Sequence, residues 1–130
     1  MTGPALLASR GMDPAFAQRF AEEWVAAWNS RDLERILAHY TDDVVFASPK
    51  IVELFKDLSG EVRGKDALRA YWATGLQHLP DLHFTIEDVR VSVDTVVINY
   101  RNERGRAVAE VLTFRDGLVC RGLGAYGPVA

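Results

Sequence analysis

Apolar residues recur at three- and four-residue intervals near the start of the chain, where Phe16, Phe20, Trp24, Ala27 and Trp28 fall on one helical face. Asp13 and Pro14 supply the start signal, because aspartate caps free first-turn amides and proline at the first helical position gives up no bond. The spacing predicts a helix from Pro14 to about Ser30. Asp32 opens a shorter second helix with Leu33, Ile36, Leu37 and Tyr40 inward, ending before Thr41 and Asp42. The period then changes, and Val44, Val45 and Phe46 predict a short strand. In SPKIVELFKDLSG, Ser48 can cap, Pro49 can open and Gly60 can end a third helix whose apolar side is Ile51, Val52, Phe55 and Leu58. A fourth, Lys65 to about Gln77, presents Leu68, Tyr71, Trp72 and Leu76 and is expected beside the first.

From His83 onward helical periodicity is lost. Extended segments are expected over 83–92, 95–101, 106–115 and 118–126, joined by Val93-Asp94, Asn102-Glu103-Arg104-Gly105 and Asp116-Gly117, which carry hairpin-turn chemistry. Helices followed by an antiparallel meander make an α+β domain with helices on one face of a curved sheet. Residues 1–12 read as a flexible lead-in and 13–130 as a single domain.

Composition narrows the partners. At 130 residues, 48% apolar and 25% charged, the chain can bury about two thirds of its unfolded surface, which argues against disorder and against spanning a membrane. Its net charge of -3 comes with no basic stripe, so no nucleic-acid partner is expected. Cys120 is the only cysteine and no Cys or His cluster has ligand spacing, so neither metal nor cofactor is expected. The opening MTGPALLASRGMDPAF lacks the features of a secretory leader, and a cytoplasmic protein is expected.

One acid stands out. In RAVAEVLTFRDG, Glu110 lies among Val108, Val111, Leu112 and Phe114, where a carboxylate must be paired, hydrated or neutral. Alternation puts Val108, Glu110, Leu112 and Phe114 on one face, and Ala109, Val111, Thr113 and Arg115 on the other. Hairpin counting brings Asn99 or Arg101 opposite or diagonal to Glu110, and an arginine there would keep the acid ionised. Three readings follow: a structural ion-paired or hydrogen-bonded acid, a ligand-binding or acid–base group, and a solvated side chain.

The order of elements, with the words WVAAWNSRDLERILAHYTDDVVFASP, VRGKDALRAYW and AVAEVLTFRDGLVCRGLGAYG, resembles the nuclear transport factor 2-like superfamily over about residues 14–127. That superfamily includes SnoaL-like cyclases and ketosteroid isomerases. The resemblance implies a cone-shaped α+β fold with a pocket between helices and sheet, and a homodimer packed sheet to sheet. It also aligns three isomerase positions. The catalytic base, which precedes a proline, falls at Ser48; the helix-one tyrosine falls at Trp24; and the protonated acid that donates to an oxyanion falls at Glu110, four residues before Phe114. Serine cannot act as the base, so the familiar isomerisation is not implied.

The candidate site therefore comprises Glu110 as acid, with Trp24, Ser48, Tyr71, Arg101 and Tyr126 as ligand-binding residues. Bland readings accompany several of these: Ser48 is explained by capping, and the Trp24, Trp28, Tyr71 and Trp72 spacing suits any core-facing helix. Cys120, Gly122, Gly124 and Tyr126 share one face of the last strand, where the glycines would widen a cavity floor or let the strand coil. His39 suits a helix end, and His78 and His83 flank a loop near the pocket mouth. Asp88, Glu87 and His83 are the candidates for a second ionisable group facing Glu110. On the outer sheet face Val111 and Leu123, with Ile98 and Tyr100, make a two-fold partner plausible. The resulting function is binding of a small apolar molecule with one polar end; the alternatives are acid–base chemistry on a carbonyl compound and a non-catalytic dimerisation module.

Overall fold

The computed structural model describes residues 12–128, so most of the expected lead-in, and the last two residues, lie outside it. Ten elements follow in order: α1 Pro14–Ser30, α2 Leu33–Leu37, β1 Tyr40–Ala47, α3 Pro49–Phe55, β2 Glu61–Arg63, α4 Lys65–His78, β3 Thr85–Val91, β4 Thr95–Arg101, β5 Ala107–Arg115 and β6 Leu118–Tyr126. The six strands form one sheet in the order β2-β1-β6-β5-β4-β3. Neighbours are antiparallel except β1 and β6, which run parallel.

The helix starts follow their capping chemistry. Asp13 accepts from Ala15 N at 3.0 Å with Pro14 in the first turn, Asp32 accepts from Arg35 N at 3.2 Å, and Ser48 accepts from Lys50 N at 3.2 Å. Arg31 ends α1 in the left-handed conformation, and its guanidinium donates to the carbonyls of Leu76 and Leu79 at 2.6 and 2.8 Å. That ties the end of α1 to the end of α4, alongside an edge-on contact of Trp28 and Trp72 at 4.9 Å.

Several expected boundaries moved, each because backbone pairing outweighs local periodicity. Tyr40, expected inside the second helix, begins β1, where it pairs with Val119 of β6. β1 therefore has eight residues, far beyond Val44 to Phe46. The third helix stops at Phe55, with Lys56 left-handed at its end, while Gly60 instead turns the chain into β2 and accepts from Ser48 N at 2.9 Å. β2, three residues long, has no periodic pattern by which a sequence could announce it.

The helices pack on the sheet face that carries Val96, Ile98, Tyr100, Val108, Glu110 and Leu112. Phe16 and Phe20 of α1 meet Phe114 edge-on at 5.7 and 4.9 Å, and Trp24 lies 5.5 Å from Tyr100. Ile98 and Tyr100 are thus buried inside and do not belong to the outer face as expected. A bulge between Thr113 and Phe114 pairs Phe114 with Val119, turning Val119 into the core; the alternation through Cys120 fails at that point. Cys120 ends half-buried with its thiol against the Thr113 carbonyl at 3.6 Å.

At the centre of this layer the Trp24 indole N–H donates to the Tyr40 hydroxyl at 3.0 Å, and both side chains are buried. Removing that acceptor strands a buried donor. Tyr40→Phe is expected to lower the unfolding free energy by about 1–3 kcal/mol, measured by urea denaturation; an unchanged midpoint would mean the indole finds another acceptor.

Candidate functional site

A cavity of about 650 Å³ opens between the inner sheet face and α1, α3 and α4. All three tryptophans of the chain, Trp24, Trp28 and Trp72, line it. Phe84 completes this wall, stacked on Trp24 at 5.8 Å. It is held there by a two-way clamp, since Asn29 Nδ2 donates to its carbonyl at 3.0 Å and its own amide donates to Asn29 Oδ1 at 2.8 Å.

Glu110 sits on the cavity floor, 5% exposed. Its cross-strand partners are Ile98 on β4 and Gly124 on β6. Arg101 is therefore not its neighbour: a one-residue slip in hairpin counting exchanges the faces of a strand. Arg101 lies on the exposed outer face, donating to Glu87 Oε2 at 3.0 Å and to the Gly105 carbonyl, and it does not line the cavity. What meets the acid is Tyr100, which sequence alternation missed and whose hydroxyl donates to Glu110 Oε1 at 3.2 Å.

Burial without a cationic partner pushes the Glu110 carboxyl up to about 8, against a small opposing effect of the Tyr100 hydrogen bond. A carboxyl raised that far is mostly in its protonated form at pH 7. Because Oε1 accepts from Tyr100, the carboxyl proton belongs on Oε2. That oxygen has no partner among the described residues and is not sealed off, so it opens on the cavity. The result is a proton donor aimed into an aromatic-walled space.

β6 makes the room. A Cβ built on Gly124 would stand 3.3 Å from Glu110 Oε1, and one on Gly122 would stand 3.0 and 3.1 Å from Phe46 and Leu112. Gly124 thus leaves space for the carboxyl and Gly122 lets the sheet close on the Phe46 ring. Around the acid stand Ser48, Tyr71 and Tyr126, all lining the cavity. Ser48 is both helix cap and cavity residue, 5% exposed with its hydroxyl beside Gly124. Burial pushes the Tyr71 phenol up to about 12, and those of Tyr100 and Tyr126 upward as well, so none of the three serves as a base near neutrality.

The other expected ionisable partners lie elsewhere. Glu87 and Asp88 are exposed on β3, where Asp88 accepts from Asn99 at 2.6 Å; His83 is exposed and, with Asp81, borders a shallow hollow that adjoins the cavity and shares Leu79, Leu82 and Arg104 with it, without lining the cavity itself. His39 pairs with Glu23 at 3.3 Å, away from the cavity. At the mouth stand Lys50, Glu53, His78, Glu103, Arg104 and Arg106. Among the described residues no three His, Cys, Asp or Glu side chains converge as a metal site would require.

The family model of the SnoaL-like domain matches residues 21–122. The chain belongs to the SnoaL-like domain family. Among solved structures, a SnoaL-like protein of unknown function from Burkholderia thailandensis is 42% identical, with 91% of this chain and 99% of that one covered at a TM-score of 0.87. A candidate ketosteroid isomerase from Kribbella flavida is 17% identical, covering 89% and 81% at 0.69. A candidate hydroxylase from Streptomyces galilaeus is 23% identical, covering 88% and 91% at 0.68. The last two are alike in fold. No protein among the curated ones matches this chain.

The carboxyl's raised pKa has a thermodynamic signature. An unfolded glutamate releases its proton near 4.5 and the folded one near 8, so between these values the folded state binds more protons. The contribution of Glu110 to stability is therefore full below about pH 4.5, falls by up to about 1.4 kcal/mol per unit through the window, and levels off above about pH 8. Thermal melts across that range are expected to show the decline in the wild type and a flatter profile in Glu110→Gln; parallel profiles would mean the carboxyl is not held neutral.

Proposed function

We propose that this SnoaL-like domain binds a small, largely apolar carbonyl compound, with the neutral Glu110 carboxyl donating to the carbonyl oxygen at the cavity floor. The single observation behind this reading is the buried acid itself: Oε1 is occupied by Tyr100 and the donor oxygen Oε2 is open to an aromatic cavity. The volume and the few convergent polar groups suit a small-molecule site. Trp24, Ser48, Tyr71 and Tyr126 form its contacts, while Arg101 drops out because it faces away.

A second reading, acid–base catalysis on the same compound, is favoured by one fact: an acid that titrates near 8 is poised to exchange a proton at physiological pH. It needs a base that the floor does not supply, because the phenols around Glu110 all titrate far too high. We therefore place binding first. A lone thiol at Cys120 suits a reducing setting, and we assign the chain to the cytoplasm. Among the described residues no helix is long and apolar enough to cross a membrane.

The three cavity tryptophans make ligand entry readable as fluorescence quenching. With 9-fluorenone as probe, wild type and Glu110→Gln, whose amide still donates, are expected to bind within about threefold of each other, while Glu110→Leu weakens binding about tenfold. Affinity of the wild type should decline above about pH 8 as the donor proton is lost, and Glu110→Gln should not follow. Equal affinity in Glu110→Leu would overturn the role of the acid.

We also propose a homodimer through the outer sheet face, where Val97, Val111 and Leu123 fall side by side across β4, β5 and β6. Light scattering should find the wild type at twice the chain mass and Leu123→Asp at once that mass. A monomeric wild type would remove the proposal.

A further inference from the structure

The cavity has two ends of different chemistry. Its floor carries a neutral acid and phenols, whereas its mouth carries fixed charge. Tyr126 joins them: its ring edge lies near the space that Gly124 leaves beside Glu110, and its ring is flanked by two cations, Lys50 Nζ at 5.4 Å and Arg106 at 5.0 Å from the ring centre.

These two cations are not equally committed. Lys50 has an exposed partner, Glu53, at 3.5 Å, and such a pair holds a lysine only weakly. Arg106 has no carboxylate within 4 Å among the described residues; its Nε donates to the Gly127 carbonyl at 2.8 Å, which anchors the guanidinium and leaves its other donors available. Arg104 adds a third positive charge to the rim, against Glu53 and Glu103. An arginine fixed by a backbone carbonyl and half-buried beside an aromatic ring is a preorganised receptor for a carboxylate, since the ordering of the side chain is already done.

Distance sets the ligand's shape. Arg106, Val108 and Glu110 follow one another on the same side of the chain, and four residues at ~3.3 Å each put Arg106 about 13 Å from Glu110 along the strand. Side chains reach across part of that span, so a ligand of fused rings can touch both ends.

We propose that the mouth formed by Lys50 and Arg106 selects an anionic group, so that the ligand is a flat aromatic carboxylate seated with its carbonyl inward and its carboxylate at Tyr126. This rests on the reading of the pocket given above and adds the charge and orientation of what enters it. Glu53 and Glu103 offset part of this positive charge without cancelling it, since Lys50, Arg104 and Arg106 outnumber them, and a neutral compound of equal size enters without the added attraction of the rim.

The experiment compares 9-fluorenone-2-carboxylate with the isosteric, uncharged 9-fluorenone-2-carboxamide by tryptophan quenching, with 9-fluorenone as the reference for the pocket. The wild type is expected to prefer the carboxylate about tenfold at low salt, and the preference should shrink as sodium chloride rises. In the Lys50→Gln, Arg106→Gln double variant the ratio of the two affinities should approach one. The salt series on the wild type carries the test even where the double variant fails to fold. If 9-fluorenone binds but the carboxylate shows no advantage, the charged mouth is overturned and the pocket reading stands. If none of the three binds, both fall.

Discussion

A carboxyl group taken out of water without a cation beside it must give up its charge, and this constraint organises the interior. Glu110 lies between Ile98 and Gly124 on neighbouring strands, and its one protein partner is a phenol that donates and cannot neutralise. The cheaper form in such surroundings is the acid, whose proton is directed to the oxygen that Tyr100 does not occupy. Protonation state, donor direction and the identity of the neighbouring residues are thus one fact seen from three sides. An arginine on that face would have reversed all three.

The aromatic wall and the glycines serve the same arrangement. Trp24 packs against Tyr100 of the sheet, and its indole N–H is satisfied by the Tyr40 hydroxyl. The indole therefore contributes surface, while Phe84, clamped by Asn29, supplies a second flat wall. On the opposite strand, the glycines trade side-chain packing for space around the carboxyl and the Phe46 ring. A bulge at Phe114 re-aims Val119 inward and closes the far end of the core. Polar groups at the floor are neutral, and the formally charged residues of the lining stand at the mouth.

Much of this was legible in the chain. Helix starts at Asp13, Asp32 and Ser48, the three hairpin joints and the inner-face set Val108, Glu110, Leu112 and Phe114 follow from capping, turn chemistry and alternation, which are local properties of a few residues. The α+β class follows from their order. Ser48, Tyr71 and Tyr126 reach the cavity because the helix and strand faces that carry them are apolar on that side.

What only the tertiary structure decided are matters of register and partner choice. Tyr40 belongs to a strand because β6 offers a parallel edge, and β2 exists because β1 offers its other edge; neither pairing leaves a periodic trace. Tyr100 and Arg101 are adjacent in sequence, and which of them meets Glu110 turns on a single residue of hairpin register. The sequence by itself determined that an acid would stand on the inner face of a strand. Whether it would be an ion or a neutral donor was settled by its neighbour across the sheet, since a strand alternates its sides at every residue and a slip of one replaces a guanidinium with a phenol.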